Sequence, residues 1–401
     1  MRLTLIFLSS LSFLLAGQQP PVSSPADMRV AAARQQVEAS PKAFQTYNDL
    51  AVSLCRKARD TSDVALYDQA QTAVNRSLSL SPGNYDAMKL HVAVLLGKHQ
   101  FEEALHEAQT LNKKVPDDIG GWASLVDANV GLGNYTEAEK DCQWILDLRR
   151  GSALGFEKAA GLREIFGDDE GAIEFYGEAL SRTAQSDADQ RAWLLTQEAR
   201  LQLASGNAKS ASNTLNEAFR LFPNSQFAAL VSADVQSANG NYPEAAALFE
   251  KCYRSVPSAA NLYKWATALD RAGQKDQATQ QFAAFEKQAR AQISQPYNAN
   301  LELIAFYTDR KNDPSEALRI ATIESAKRQD CRTLAALAWA QYQNGKFTEA
   351  KTNMDKALSP GIRDAVYLCH SALISAKVNQ ASDPKACPAD RPMQASLGDS
   401  K

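Results

Sequence analysis

The side chains able to do acid–base, nucleophilic or metal chemistry are few, and their spacing argues against all three. The four histidines are His91, His99, His106 and His370. The first three crowd together, so an imidazole metal site is the first chemistry to weigh. Such a site needs three or four convergent ligands of fixed geometry. No HExxH sequence and no zinc-spaced Cys/His pair is present. The cysteines Cys55, Cys142, Cys252, Cys331, Cys369 and Cys387 are widely spaced with no CxxC, which speaks against a zinc ribbon or a redox motif. Glu102-Glu103 and Asp117-Asp118 are adjacent carboxylates. Paired acids catalyse only in a cleft that shifts their pKa values, and these read as helix-surface and loop charges. Walker A, Rossmann-type glycine and GxSxG sequences are missing. The expectation is a non-enzymatic chain that takes no metal and no small-molecule cofactor.

The elements that carry these residues follow from the remaining sequence. The chain has 401 residues, 45% hydrophobic and 22% charged, with a net charge of -3. That composition suits a soluble globular protein. Without a basic excess there is little to drive phosphate binding, so nucleic acid is not an expected partner. Residues 1–17 read as a signal peptide. Arg2 is followed by an apolar run from Leu3 to Leu15, then by small Ala16 and Gly17. A bilayer span needs about 20 apolar residues, so this run is short for one. Its end, LLAG, resembles a lipoprotein cleavage box, but Gln18 stands where the lipid-bearing Cys belongs, so no lipid anchor is expected. Residues 18–25 hold three prolines and two serines and read as a flexible spacer. From Asn379 the composition turns to Ala, Ser, Asp, Pro and Gly, the mark of a disordered tail over 379–401.

Between these ends runs a ladder of alanines: Ala70, Ala104, Ala138, Ala172, Ala211, Ala245, Ala278, Ala317 and Ala350. Successive steps are 34, 34, 34, 39, 34, 33, 39 and 33 residues. Five residues before the anchor stands Gly133, Gly167, Gly206, Gly240, Gly273 or Gly345, with His99 and Asn312 in two repeats. Glycine there ends a helix. Three before it an aromatic recurs: Tyr67, Phe101, Tyr135, Tyr242 and Phe347. Twelve after it Pro82, Pro116, Pro223 and Pro257 stop the second helix. In the preceding helix a large residue such as Phe156, Leu195 or Leu262 is followed four later by a small one, Ala160, Ala199 or Ala266. That bump and hole lets two helices approach closely.

These residues resemble the tetratricopeptide repeat, a helix–turn–helix unit of 34 residues. The best copies are GNYTEAEKDC at Gly133, GNYPEAAALFEKCYRSVP at Gly240 and GKFTEAKTNMDKAL at Gly345. The resemblance spans roughly Ser40 to Leu358. It implies an all-α, right-handed superhelical solenoid of about nine repeats over 26–378, closed by cap helices at Ala26–Ala39 and Arg363–Val378. Three surpluses break the period. Residues Asp60 to Val64 are expected to form a longer loop, and Thr183 to Asp189 another. Through Ala284 to Gln295 a helix is expected to run on before Pro296.

In the family, the first helix of each repeat lines a concave groove. The exposed positions lie 18, 15, 11, 8 and 7 residues before the anchor. Carried over, they give a plain N-terminal groove of Asp86, Lys89, Ala93, Gly120, Ala123, Asp127 and Val130. The C-terminal groove is richer: Trp193, Arg200, Phe227, Leu230, Asp234, Tyr263, Asp270, Arg271, Phe306, Asp309, Arg310, Arg332, Trp339 and Tyr342. Aromatic and Arg residues are the usual anchors of interfaces. The recurring Asp270-Arg271 and Asp309-Arg310 read first as solvated helix ends with local ion pairs, while Trp339 and Tyr342 serve either the groove or packing against the C-terminal cap. Lys89 suits the family's carboxylate clamp, but Ala93 replaces the Asn it needs, so a chaperone C-terminus is not expected as ligand.

Cys142 and Cys252 lie three repeats apart, too far to bridge. Cys331 and Cys369 fall on neighbouring first helices, which makes Cys331–Cys369 a candidate disulfide, with Cys369–Cys387 as the other option. The expectation is an exported bacterial protein, periplasmic or extracellular, that holds a protein or peptide partner in its groove. A carrier or sensor of an envelope ligand or polysaccharide is the alternative.

Overall fold

In the computed structural model, residues 25–295 and 297–379 are described. The 1–17 leader lies outside them, as do the spacer except Pro25 and the tail except Asn379. The described residues form a cap helix, nine helical hairpins and a second cap. The first cap is α1 (Pro25–Ala39). The first four hairpins pair α2 (Phe44–Thr61) with α3 (Ala65–Leu80), α4 (Tyr85–Gly97) with α5 (Phe101–Lys114), α6 (Ile119–Gly131) with α7 (Tyr135–Leu148), and α8 (Ala153–Ile165) with α9 (Asp169–Arg182). The next three pair α10 (Ala188–Ala204) with α11 (Ala208–Leu221), α12 (Gln226–Ala238) with α13 (Tyr242–Ser255), and α14 (Ala259–Arg271) with α15 (Lys275–Ala291). The last two pair α16 (Asn300–Phe306) with α17 (Pro314–Ser325) and α18 (Cys331–Gln343) with α19 (Phe347–Leu358); α20 (Ala365–Val378) is the closing cap.

Local sequence sets each boundary. First helices start where a short polar side chain caps them: the side chains of Asn84, Ser152, Ser225, Ser258, Asp330 and Asp364 each accept a backbone N–H of the following turn. The turn inside each hairpin passes through the left-handed region, at a glycine in six repeats and at Ser62 (φ 56°), His99 (φ 58°) and Asn312 (φ 55°) in the three that lack one. Eight of the nine anchor alanines have no exposed surface, and Ala278 keeps 2%. A methyl group is all the space between the paired helices admits, which is why the ladder repeats so strictly.

The surpluses resolve differently from the sequence reading. Asp60 is not in a loop: α2 runs on to Thr61, leaving Ser62–Val64 as the connection. Ala188 and Asp189 belong to the first turn of α10, so that loop is Thr183–Asp187. Both α2 and α10 therefore gain extra helical residues, at 18 and 17 residues. A backbone that keeps its hydrogen bonds in a helix is cheaper to bury than a loop. Helix α15 does run on, to Ala291. Residues Tyr307–Lys311 form a π-helical turn after the short α16, which absorbs the irregular repeat around Asn312.

The extra turns meet each other. Arg56 on α2 pairs with Asp187 at 3.1 Å and with Asp189 at 3.6 Å, and Arg29 on α1 pairs with Asp189 at 2.5 Å. The Ser225 hydroxyl donates to Asp60 at 2.7 Å. Further along, the Tyr135 hydroxyl accepts the Cys331 N–H at 2.8 Å. Gly133 lies so close to the 329–330 backbone that an added Cβ would stand 2.5 Å from the Gln329 carbonyl oxygen. Successive turns of the superhelix thus touch across its axis, and the groove is bridged rather than open.

A candidate binding chamber inside the superhelix

The bridged interior holds two adjoining cavities, both partly open to solvent. One, of about 390 Å³, is walled by α2, α4, α6, α8 and the start of α18, with Arg59, Asp127, Glu157, Lys158, Gly161, Glu164 and Trp193 among its lining. The other, of about 580 Å³, reaches toward α12, α14 and α16 and is lined by Arg200, Phe227, Asp234, Lys264 and Glu302. Arg59, Tyr67, His99, Arg328 and Arg332 line both. The extra turn of α2 brings Arg59 here, where it donates to Gln190 at 2.5 Å and lies 4.6 Å from the centre of the Trp193 ring. No ion pair of Arg59 with a carboxylate is formed among the described residues.

Charges in the wall are mostly answered within it. Lys158 donates to both Asp127 oxygens at 2.8 and 2.7 Å. Burial disfavours its charge, but Asp127 and Glu157 outweigh that and raise its pKa. Arg200, only 3% exposed, is held by both oxygens of Glu164, one at 2.7 Å, and its Nε donates to Gln197. Burial opposes ionisation of Glu164, yet the Arg200 charge wins and holds its carboxyl below the ordinary range. Asp60 has no such cation in contact. Burial pushes its carboxyl up to about 6, against the pull of Ser225 and the Gln226 backbone. Burial likewise raises the Tyr135 hydroxyl and the Cys331 thiol.

The ten expected partner residues scatter. Trp193 and Arg332 reach the first cavity. Arg200 and Phe227 line the second, but they are 3% and 8% exposed and serve as structure as much as surface. Tyr263 and Phe306 are not groove residues. They are buried with Phe282 and Phe285, with the Tyr263 and Phe285 centroids 4.9 Å apart and those of Phe285 and Phe306 5.5 Å apart. Arg271 packs over Tyr242, and Arg310 pairs with Asp270 at 2.9 Å while lying over Phe282. Trp339 stacks between Tyr342 and His370 of α20, 4.9 and 3.6 Å away, so both aromatics seat the closing cap. The Cys331–Cys369 bond is not formed: Cys331 is a free thiol lining the chamber, its backbone drawn toward Tyr135, while Cys369 is disulfide-bonded. Cys387 lies outside the described residues.

The sequence reading missed Arg59, Tyr67, Tyr135, Lys158, Glu164 and Tyr176, all from the half it judged plain. A signal existed for Arg59 alone, in the basic Arg56-Lys57-Ala58-Arg59 run beside the surplus residues 60–64. His91 contacts Glu107 at 2.7 Å, and among the described residues no three His, Cys, Asp or Glu side chains gather as metal ligands would. None of the described helices is long and apolar enough to cross a membrane.

Hairpins in this register define a tetratricopeptide-type solenoid. Residues 196–260 match the family model of the tetratricopeptide repeat, and the described helices stack as an all-α superhelix of hairpins of that type. No curated protein sequence matches it. Among solved structures it is similar to the APC/C hetero-tetramer Cut9-Hcn1, with a TM-score of 0.51 and 14% identity over 85% of this chain. The match spans 57% of that other chain. Yeast Tom70 is 12% identical with a TM-score of 0.46, covering 88% of this chain and 85% of that one. A tetratricopeptide repeat protein from Parabacteroides merdae ATCC 43184 is 14% identical with a TM-score of 0.37, covering 73% and 98%.

Proposed function

We propose that this chain is a non-enzymatic scaffold of the bacterial cell envelope that holds an acidic segment of a protein partner in its interior chamber. The carrying observation is Arg59 in the shared wall of the two cavities, beside Tyr67 and near Arg328, which is paired with Glu324 at 2.7 Å. Arg59 itself is held by Gln190 and the Trp193 ring and by no ion pair among the described residues. Guanidinium groups bind carboxylates with two parallel hydrogen bonds, and the aromatics supply area with few rotors to freeze. The walls are set before a ligand arrives, so little ordering is needed on the protein side. The apolar leader at 1–17 supports the envelope location. The Cut9-Hcn1 structure is a hetero-tetramer, and a partner-binding role is carried over here as an analogy of fold.

A second reading is a carrier of a small anionic ligand or a saccharide. The size of the first cavity favours it, since small-molecule sites run from about 300 to 1,000 Å³. Capture from envelope extract, compared between the wild-type chain and Arg59→Met, separates the two. A defined protein recovered by the wild type and lost in Arg59→Met supports the scaffold. Equal recovery by both removes the chamber as the site. Thermal stabilisation by a saccharide or small polyanion, with no protein recovered, favours the carrier. Cell fractionation that leaves the chain in the cytoplasm would overturn the location.

A further inference from the structure

One outer edge of the solenoid carries side chains the chamber does not use. Trp144 on α7 is 52% exposed. It stacks on Trp122 of α6, with centroids 5.6 Å apart and planes 16° apart. The Trp122 indole N–H donates to the Pro116 carbonyl at 2.8 Å, which fixes the pair against the α5–α6 connection. Val115 beside it is 38% exposed. Lys113 and Lys114 end α5, and Arg149 and Arg150 follow α7, all four exposed.

Cations at helix C-termini are common, because the helix dipole favours them. Some on this edge are answered: Arg182 at the end of α9 pairs with Glu178, and Arg254 at the end of α13 pairs with Glu250, while Arg220 near the end of α11 forms no ion pair among the described residues. Lys113, Lys114, Arg149 and Arg150 form no ion pair among the described residues; Arg149 reaches only the Leu148 carbonyl. The acids of the patch are Asp117 and Asp147, and Asp147 is engaged by Gln143 at 3.0 Å. The patch is therefore net positive, on a chain whose net charge is -3.

We propose that this edge docks on an anionic lipid surface. Neither chamber cavity is lined by any of these residues. The patch offers a protruding indole rather than a groove in which a peptide could shed its water. A headgroup layer needs no groove. It accepts an amphipathic indole at its boundary and attracts the flanking cations. The proposal is independent of what the chamber holds.

The test is co-sedimentation of the full chain with phosphatidylcholine vesicles, with and without phosphatidylglycerol. Binding is expected only to the anionic vesicles, and it should disappear near 1 M salt, where the screening length falls to about 3 Å. Lys113→Glu with Lys114→Glu should weaken binding by more than about tenfold, from roughly fivefold per cation, and Trp144→Ala should weaken it without changing the helical spectrum. Lys209→Glu with Arg220→Glu makes the same charge change on exposed positions of α11 and should leave binding intact. Equal binding to neutral vesicles, no binding at all, or an equal loss in the α11 variant would overturn the proposal. Binding to polyglutamate but not to vesicles would also overturn it and give the patch to an acidic protein.

Discussion

Fifteen residues before the anchor stands Glu157 in α8 and Tyr263 in α14. Eleven before it stands Gly161 in α8 and Phe306 in α16. These are matching places on the inner wall of the same repeat, yet they build opposite interiors. Glu157 and Gly161 line the first cavity, and a Cβ placed on Gly161 would meet nothing within 4 Å. Tyr263 and Phe306 are 6% and 3% exposed in one continuous aromatic cluster. Repeat register decides which side a residue faces. Side-chain volume, and how tightly the next hairpin closes on it, decides whether that side is a site or a core.

The aromatic side gives the largest test. Phe306→Ala should cost about 3–5 kcal/mol, as truncation of a buried aromatic does, read by urea denaturation. If Phe306 were a groove residue, the same change would leave stability near wild type and remove partner binding. On the charged side, Glu164→Ala removes the carboxylate that answers the buried Arg200 charge and should cost up to a similar ~3–5 kcal/mol. Replacing both, as Glu164→Leu with Arg200→Met, should recover most of that loss. A small effect of Glu164→Ala would mean that solvent reaches Arg200 through the chamber.

Acidification should separate the ends of the molecule. The folded pKa of Asp60 is about 6, above its ordinary 3.8. Its contribution therefore improves as pH falls from about 6 to about 4, because the folded state takes up the proton first. His370 goes the other way. Burial against Trp339 lowers its pKa from 6.5 to about 4. Stability of the cap is present above pH 6.5 and is lost as pH falls through that range toward 4, because the unfolded chain binds the proton more tightly. Hydrogen exchange at pH 5 against pH 7 should show α20 opening more readily while the α2–α12 contact tightens. His370→Phe should abolish the first change and Asp60→Asn the second.

A smaller effect comes from the empty position itself. Gly161→Ala should stabilise by about 0.5–1 kcal/mol, since glycine within a helix is unfavourable and the methyl group meets open space. Gly161→Phe should fill the chamber much as Phe306 fills α16. Loss of partner capture in Gly161→Phe, with the melting temperature kept, would place the ligand in the first cavity.

The fold was legible because its signals are local. Alanine where two helices touch, a turn residue five before it and proline after the second helix each fix a backbone event within one repeat. The chamber was not, because it is made by contacts between turns. Arg56 meets Asp187, Asp60 meets Ser225 and Tyr135 meets Cys331 across 131, 165 and 196 residues of sequence. Carrying groove positions over from a single repeat selects the right helix face for Trp193 and Arg332. It cannot say that Tyr263 and Phe306 will be covered by the following hairpin. The cysteines teach the same point: Cys331 and Cys369 sit on neighbouring helices, but the turn above pulls the start of α18 toward Tyr135.

The smallest expected effect concerns the Asp270–Arg310 pair, which joins the end of α14 to the π-helical turn after α16, beside Phe282. Arg310 donates to Asp270 at 2.9 Å across neighbouring hairpins, and Lys275 also reaches Asp270 at 2.7 Å. Burial raises the Asp270 carboxyl, but its bonds to Lys275 and Arg310 outweigh this and hold the pKa below its ordinary value. The pair therefore contributes above the ordinary carboxylate range and fades as pH falls through the lowered pKa. Both side chains keep contact with water, at 28% and 24% exposure, so screening limits their attraction. Arg310→Ala alone would mislead, because it also strips the guanidinium from the Phe282 face, 4.1 Å from the ring centre. A double-mutant cycle of Arg310→Ala and Asp270→Asn removes that packing contribution. Coupling of about 0–1 kcal/mol is expected, as for other solvent-touched pairs. Coupling well above that would mean the aromatic core extends its dry environment over the pair, outward to the ends of α14 and α16.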